Sequence, residues 1–352
     1  MSGRALVVDD SVVNRRLLVR HLEGLGLATV EAGNGAEALE VVRAQAGTID
    51  LVLLDVEMPE MDGYETLAAM KGDELTKHLP VLMVSGVEEI DSVVRCIELG
   101  ARDYLTKPIQ PRIFEARVNA TLAAKRLRDT IERQKRELSR FLSPQIASLV
   151  SSDDAEHLLT GHRRQITVAF CDLRGFTTFA EAADPEELLG VLGEYHRMIG
   201  ETIIEHGGTL EHFAGDGVMV FFNDPVLQED HVERAVRMAV AMRDRFAPLS
   251  ENWHKRGYEL GFGVGIAVGY ATLGRIGFEG RYDYGAIGNV VIMASRISGK
   301  AEANQILLSQ RAHAMVEDLV DVEPVGELEL KGMSRPVPAL NVVGIQLVTQ
   351  PG

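Results

Sequence analysis

ITVAFCDLRGFTTFAE, residues Ile166–Glu181, is the stretch from which the second half of the chain is best understood. Ile166, Val168 and Phe170 form an apolar run that ends on a carboxylate, Asp172. Gly175 and small hydroxylated residues follow, which predicts a strand turning into a helix. About forty residues on, GTLEHFAGDGVMVFF (Gly208–Phe222) reads as two strands joined by a tight turn at Gly215–Gly217, and that turn presents a second carboxylate, Asp216.

Either acid alone is commonplace, one ending a strand and the other filling a turn. Together they offer hard oxygen ligands for a pair of divalent cations, with coordination sites left open for phosphate oxygens. The ordered set FxDxxGFT, GDGVM, Tyr284–Arg296 (YGAIGNVVIMASR) and Leu330–Gly332 (LKG) resembles the class III nucleotidyl cyclases over about Arg164 to Val343. That resemblance implies an α+β, ferredoxin-like domain with a mostly antiparallel sheet. It also implies an active site formed between two such domains.

The formal net charge of −16 argues against a general nucleic-acid or anionic-membrane binder, though not against a nucleotide, which needs only local positive charge. Cys96 and Cys171 fit free thiols in a reducing cytoplasm. No apolar run approaches the length of a membrane span, and Met1 leads straight into an expected strand. The expected location is cytoplasmic.

The first 122 residues alternate apolar strands (Ala5–Val8, Ala28–Val30, Leu51–Leu54, Val81–Val84, Tyr104–Leu105) with helical patterns such as Val13–Leu22 and Ile90–Leu99. Such alternation predicts a five-stranded parallel, doubly wound sheet of flavodoxin-like type, with its chemistry at the carboxyl ends of the strands. Asp9, Asp10, Asp55, Ser85 and Lys107 fall at those ends. Three carboxylates can hold Mg2+ while one acts as nucleophile toward a phosphoryl group; Lys107 would neutralise the product and Ser85 would hydrogen-bond it. The pattern resembles the receiver domain of response regulators. By that resemblance Asp55 accepts phosphate from a cognate histidine kinase, Asp9, Asp10 and Asp55 bind Mg2+, Ser85 and Lys107 contact the phosphate, and Tyr104 is the aromatic switch. Pro108 fits the family's cis Lys–Pro bond.

Residues 123–160 are expected to be a helical linker, its helix running from Ile113 to Phe141. Ile113, Ala120, Ala124, Leu127, Ile131, Leu138 and Phe141 fall near positions a and d of a heptad, with polar Gln134 also at an a position. A parallel coiled coil, and hence a homodimer, is the expectation; a single helix packed on one domain is the alternative. Pro144 breaks the helix, and Ser151–Asp154 reads as a joint.

In the effector domain, residues 161–346, helices are expected over Pro185–His206, Asp230–Phe246 and Val291–Lys300. Strands are expected over Ile166–Phe170, Leu210–His212, Val218–Phe222, Gly261–Val268, Ile306–Leu308 and Leu328–Leu330. The resemblance assigns Asp172 and Asp216 as ligands of two Mg2+ or Mn2+ ions, Arg296 as the transition-state arginine and Lys331 as a contact to the terminal phosphates. The turn at Gly175 and Phe176 opens a helix whose backbone N–H groups can meet phosphates.

Three positions depart from the family pattern. His212 replaces the base-recognising lysine, Gly285 the partner base-selecting residue, and Ile292 the asparagine that orients the ribose. Ile292 donates no hydrogen bond, and loss of one transition-state donor costs roughly a hundred- to a thousandfold in rate. Arg275 and Arg281 are further phosphate candidates or plain solvated charges. The leading expectation is a phosphorylation-controlled cyclase converting ATP or GTP to a 3′,5′-cyclic nucleotide and pyrophosphate. The rival is a degenerate pseudo-cyclase that binds nucleotide or a protein partner. A DNA-binding regulator is disfavoured by the acidic charge.

Overall fold

The computed structural model describes residues 3–45, 47–86, 90–139, 142–150, 159–331, 333 and 335–346. The expectations for Met1, Phe141, Ser151–Asp154 and Gly332 lie outside the described residues. The chain divides into two compact units, Met1–Glu137 and Leu138–Gly352.

The first unit runs β1 (Arg4–Val8), α1 (Val12–Gly24), β2 (Ala28–Ala32), α2 (Gly35–Ala44), β3 (Leu51–Asp55), α3 (Gly63–Gly72), β4 (Val81–Ser85), α4 (Ile90–Glu98) and β5 (Asp103–Thr106). The sheet is parallel throughout, in the order β2-β1-β3-β4-β5. β3 and β4 are buried along their whole length, which is why they read as continuous apolar runs rather than alternating ones. Polar caps start the helices: the Ser11 hydroxyl accepts from the Asn14 N–H, Asn34 from Glu37, and Asp62 and Glu65 form a reciprocal capping box.

α5 (Pro111–Ser139) continues from this unit. Its first half is held by Phe114, Val118 and Leu122, which pack under the sheet with Leu18, Leu22 and Leu105. That stripe differs from the expected heptad. Ile113, Leu127, Ile131 and Leu138 are all exposed within one copy of the chain.

The second unit runs α6 (Pro144–Val150), β6 (His162–Arg174), α7 (Phe176–Ala182), α8 (Pro185–Glu205), β7 (Thr209–Ala214), β8 (Gly217–Phe222) and α9 (His231–Lys255). It continues through β9 (Gly261–Phe278), β10 (Arg281–Ile287), α10 (Asn289–Ser298), β11 (Ile306–Ser309), α11 (Gln310–His313), β12 (Val320–Leu328) and β13 (Val337–Ile345). The eight-stranded sheet has the order β12-β13-β11-β9-β6-β8-β7, with β10 paired to β9; only β11 with β9 is parallel.

Strand alternation sorts the core onto two faces. Val218, Val220 and Phe222 face α8 and α9, whose Tyr195, Ile199, Val236, Met242 and Trp253 are buried against them. Met219 and Phe221 face the other way, with Ile166, Val168 and Ala267, against α6 and α10.

Several expected bounds are corrected. α9 does not stop at Phe246 but runs on through Pro248 to Lys255. Trp253 anchors the added turns, since it is fully buried, lies edge-on to Phe246 and donates its indole N–H to Glu194 at 2.7 Å. β9 runs ten residues past Val268 because the glycine-rich segment forms a hairpin with β10. β12 ends at Leu328, so Glu329 and Leu330 lie outside the strand, and β13 is an element the sequence pattern missed. Among the described residues no helix is long and apolar enough to cross a membrane.

Candidate active sites

The first cluster forms where β1, β3 and β5 end. Asp9 and Asp55 are buried and Asp10 is exposed, and one carboxylate oxygen from each lies within 4.8 Å of the others. That all-oxygen donor set fits a hard divalent cation. Lys107 Nζ donates to Asp9 Oδ2 at 2.9 Å and to Asp55 Oδ2 at 2.8 Å. Burial, with Asp9 adding to it, pushes the Asp55 carboxyl up to about 6 even though Lys107 pulls it down. Burial works against the Lys107 charge, but the bonds to Asp55 and Asp9 outweigh it and hold its pKa above the ordinary lysine value. Ser85 and Tyr104 are both buried and share a side-chain hydrogen bond. The Lys107–Pro108 bond is cis. All six predicted residues of the first unit therefore meet at one end of its sheet.

The second cluster lies at the end of β6. Asp172 stands one residue past the last β6–β8 pair, Cys171 with Val218, and Asp216 occupies the β7–β8 turn. The Leu173 N–H donates to Asp216 Oδ2 at 3.3 Å, which ties the turn to the strand end. Burial first, then the adjacent Asp216 carboxylate, pushes the Asp172 carboxyl up to about 7. Two carboxylates crowded to that degree suit a cation between them. Arg174, not anticipated from sequence, partly offsets them: its Nη1 lies 3.4 Å from Asp172 Oδ2, and its Nη2 donates to the Ser298 carbonyl at the end of α10. Its Nε is buried with no hydrogen-bond partner among the described residues.

Gly175 opens α7 in the left-handed region (φ 81°), and a β-carbon there would press on the Glu259 carbonyl. The half-buried Phe176 ring packs against the core beside Phe179. A cleft of 480 Å³ opens beside Arg174 and Gly175, lined also by His254, Tyr258 and Asn304.

The remaining candidates sit on β7, β10, α10 and the segment after β12. α10 buries Val290, Ala294 and Ile297 against the sheet and leaves Ile292 and, one turn on, Arg296 on its outer face. Lys331 is exposed beside a cleft of 450 Å³ lined by Leu330, Met333 and Arg335. Among the described residues neither Arg296 nor Lys331 has a hydrogen-bond or ion-pair partner. Arg275 lies in β9, its guanidinium 4.4 Å from the centre of the Tyr282 ring, and Arg281 begins β10.

His212 and Gly285 come together through a residue the sequence reading did not single out. The β7–β8 ladder slips between Leu210 and His212, so Glu211 is the extra residue of a bulge. Its carboxylate accepts from the Ala286 N–H at 3.2 Å and lies 3.4 Å from His212 Nδ1. A β-carbon on Gly285 would collide with Glu211 Oε1.

Behind this group, buried Asp224 binds His162 Nε2 at 2.6 Å, Arg164 at 2.8 Å and the Tyr284 hydroxyl. Burial, then Asp224, drives the Tyr284 pKa far above its ordinary value. This fixes the start of the segment that carries Gly285.

A family model described as adenylate and guanylate cyclase catalytic domain matches residues 160–342, just over half of the chain. The chain belongs to this family. A response regulator receiver domain matches residues 5–119, so the cyclase domain follows a receiver. Adenylate cyclase 1 of Rhizobium meliloti is 34% identical over 186 residues, which is 52% of this chain and 28% of that protein. Response regulator PleD of Caulobacter vibrioides is 37% identical over 135 residues, 38% of this chain and 29% of that protein. The chain thus spans less than a third of either relative.

Among solved structures, the adenylyl cyclase CyaB from P. aeruginosa is 37% identical with a TM-score of 0.51, covering 52% of this chain and 96% of that one. The guanylyl cyclase Cya2 is 34% identical with a TM-score of 0.51, covering 54% and 97%. Similar cyclases therefore carry names of both base specificities.

Proposed function

We propose that this protein is a two-component output enzyme in which phosphorylation of Asp55 controls a homodimeric cyclase that converts ATP or GTP to a 3′,5′-cyclic nucleotide. The observation that carries this reading is the crowded Asp172–Asp216 pair, in a domain whose Arg296 and Lys331 have no ion-pair partner among the described residues. An acidic pair with no function is an electrostatic cost that a cation removes.

In the reaction the ribose 3′-oxygen bonds to the α-phosphorus, the bond to the pyrophosphate oxygen breaks, and the hydroxyl proton is lost. Asp172 and Asp216 would hold the two Mg2+ or Mn2+ ions, which supply Lewis-acid stabilisation of phosphate charge. Arg296 places fixed positive charge at the phosphorus under attack, and Lys331 binds the terminal phosphates. Gly175 and the Phe176 backbone line the phosphate side. His212, Gly285 and Ile292 occupy the base and ribose side. In the receiver Asp9, Asp10 and Asp55 would hold Mg2+, while Lys107 and Ser85 receive the phosphoryl oxygens that a histidine kinase delivers. The Ser85–Tyr104 hydrogen bond is the contact that a phosphoryl group on Asp55 competes with, and that competition makes Tyr104 the switch. The exposed stripe of α5 pairs with that of a second copy. The setting is cytoplasmic, without nucleic acid or membrane.

A second reading, a nucleotide-binding domain without turnover, is favoured by one observation. Ile292 presents an apolar side chain, 45% exposed, on the same outer face as Arg296. The test is direct: incubate the full chain with ATP or GTP and Mg2+ or Mn2+, with and without a phosphoryl mimic on Asp55, and quantify cyclic product. Product that disappears in Asp172→Ala supports the enzyme. A folded dimer that makes none under any condition supports the second reading.

A further inference from the structure

Gly261, Gly263 and Gly265 alternate along the start of β9 and therefore share one face of the strand. Across the ladder they stand opposite Arg174, Asp172 and Phe170 of β6. At Gly263 a β-carbon would come within 2.6 Å of Arg174 Nε and Nη2, so the guanidinium lies directly on that backbone. At Gly265 a β-carbon would collide with the Ser298 nitrogen and the Ala294 carbonyl, so α10 rests on the same face of the strand. The missing side chains thus bring the arginine and the end of the helix together on one strip of backbone.

The fork of Arg174 spans the gap between two elements of the site. Nη1 lies 3.4 Å from Asp172 Oδ2, and Nη2 donates to the Ser298 carbonyl. Asp172 is the strand-end carboxylate of the acidic pair. Ser298 closes the helix on which Arg296 stands two residues earlier. The helix end adds its own attraction, because its carbonyls carry partial negative charge. A planar guanidinium holds both acceptors at once, whereas a lysine ammonium is a single point charge on a flexible stem.

We propose that Arg174 is a positioning residue of the cyclase reaction, setting the separation between the Asp172 carboxylate and the α10 helix that carries Arg296. This rests on the cyclase reading above. Arg174 acts through its two partners, not by contact with the reacting atoms. Asp172 would hold a metal ion on the phosphate side, and Arg296 would face the phosphorus under attack. Without the fork both groups are present but out of register, and a misplacement of about 1 Å costs about a hundredfold in rate. A plain brace between strand and helix behaves differently: its loss lowers the melting temperature and leaves the turnover of each folded site intact.

The test uses the full chain with Mn2+ and ATP or GTP, with rates expressed per folded protein. Arg174→Lys keeps a charge beside Asp172 and loses the fork. It is expected to lower kcat about tenfold or more and to change KM less than about threefold, because the triphosphate contacts assigned to Lys331 and the Gly175 turn remain. Gly263→Ala keeps the arginine but displaces its guanidinium, and the same split is expected. That second variant carries the test if Arg174→Lys does not fold. Arg296→Ala then probes the route: combined with Arg174→Lys, the loss should fall well short of the product of the two single losses, because the residues act as a unit.

A kcat within about twofold of the wild type in either folded variant, a loss carried by KM, or single losses that multiply in the double variant overturns the proposal. Loss of the fold in both Arg174→Lys and Gly263→Ala makes Arg174 a brace and overturns it too. No cyclic product from the folded wild type with either nucleotide overturns the cyclase reading and this assignment together. An active wild type beside unimpaired variants overturns the assignment alone.

Discussion

Lys107 Nζ lies 2.8 Å from Asp55 Oδ2, joining the end of the last strand of the receiver to the end of its central one. Asp55 is buried and Asp9, the second partner of the lysine, is fully buried, so Lys107 is the cation that both carboxylates share. Removing it leaves two buried charges that repel. Lys107→Ala is expected to destabilise the receiver by about 2–3 kcal/mol, somewhat below the usual cost of breaking a buried pair because the lysine is itself partly exposed. Amide hydrogen exchange along β3 measures it, and millimolar Mg2+ should restore part of the loss. A change under about 0.5 kcal/mol would show that water already screens the pair.

The same logic, without a lysine, governs Asp172 and Asp216. Asp172→Asn removes half of a repulsive pair, so its melting temperature in EDTA should rise by about 1–3 °C, a small gain because the site is open to solvent. Mn2+ should raise the melting temperature of the wild type by more than that of Asp172→Asn, in which only the receiver cluster of Asp9, Asp10 and Asp55 is left to bind the ion. Equal Mn2+ stabilisation of both would remove Asp172 from the ligand set.

How far these sites were legible follows from where their residues lie. Asp9, Asp55, Ser85 and Lys107 each end a buried strand, and an apolar run that stops on a polar residue shows in the sequence directly. Asp172 was legible for the same reason, and Asp216 from the Gly215–Gly217 turn that carries it. Glu211 was not: whether it points with His212 or away from it depends on a one-residue slip between Leu210 and His212, which leaves no mark on the alternation. Nor was Arg174, whose partner, the Ser298 carbonyl, lies 124 residues on. The β9–β10 hairpin was masked by its glycines, which read as loop although Gly277 (φ 130°) lies in the paired strand and Gly280 (φ 109°) serves the turn.

His231 gives a pH signature for the second unit. It is buried, its Nδ1 lies 2.6 Å from the Thr167 hydroxyl, and burial depresses its pKa although Asp230 pulls the other way. A histidine kept neutral by folding binds its proton more readily when unfolded. Its contribution to stability is therefore complete above pH 6.5, the unfolded value, and is lost as pH falls toward the lower folded value. Thermal melts between pH 7.5 and 5 should fall with acid, and His231→Gln should flatten part of that slope. His196, shifted down by burial in the same way, accounts for some of the remainder. An identical slope in the variant would exclude His231 as a contributor.

The exposed stripe of α5 makes a statement about assembly. Leu127 and Ile131 are 63% and 55% exposed in one copy, four residues apart, on a stretch whose other side chains are mostly charged. A parallel partner helix would cover them. Leu127→Glu with Ile131→Glu is expected to shift the protein from dimer to monomer in sedimentation velocity at micromolar concentration and to lower cyclase activity with it. A wild type that already sediments as a monomer would remove the helix as a dimer seam.

By the family resemblance, Ile292 stands where an asparagine would orient the ribose. It is exposed on α10, so exchange for asparagine should leave stability within about 0.5 kcal/mol, and any effect on rate will be chemical. In the cyclase reading the wild type lacks one donor to the ribose. Supplying it in Ile292→Asn should raise kcat at least tenfold, toward the hundred- to thousandfold that one such donor contributes in other enzymes. KM should change little, because the new bond acts on the orientation of the attacking hydroxyl rather than on triphosphate binding. Progress curves for both nucleotides, with and without the phosphoryl mimic on Asp55, give the answer. An unchanged rate in a dimer that binds nucleotide would mean that the geometry around Arg296, rather than the missing donor, limits this site, and would favour the non-catalytic reading.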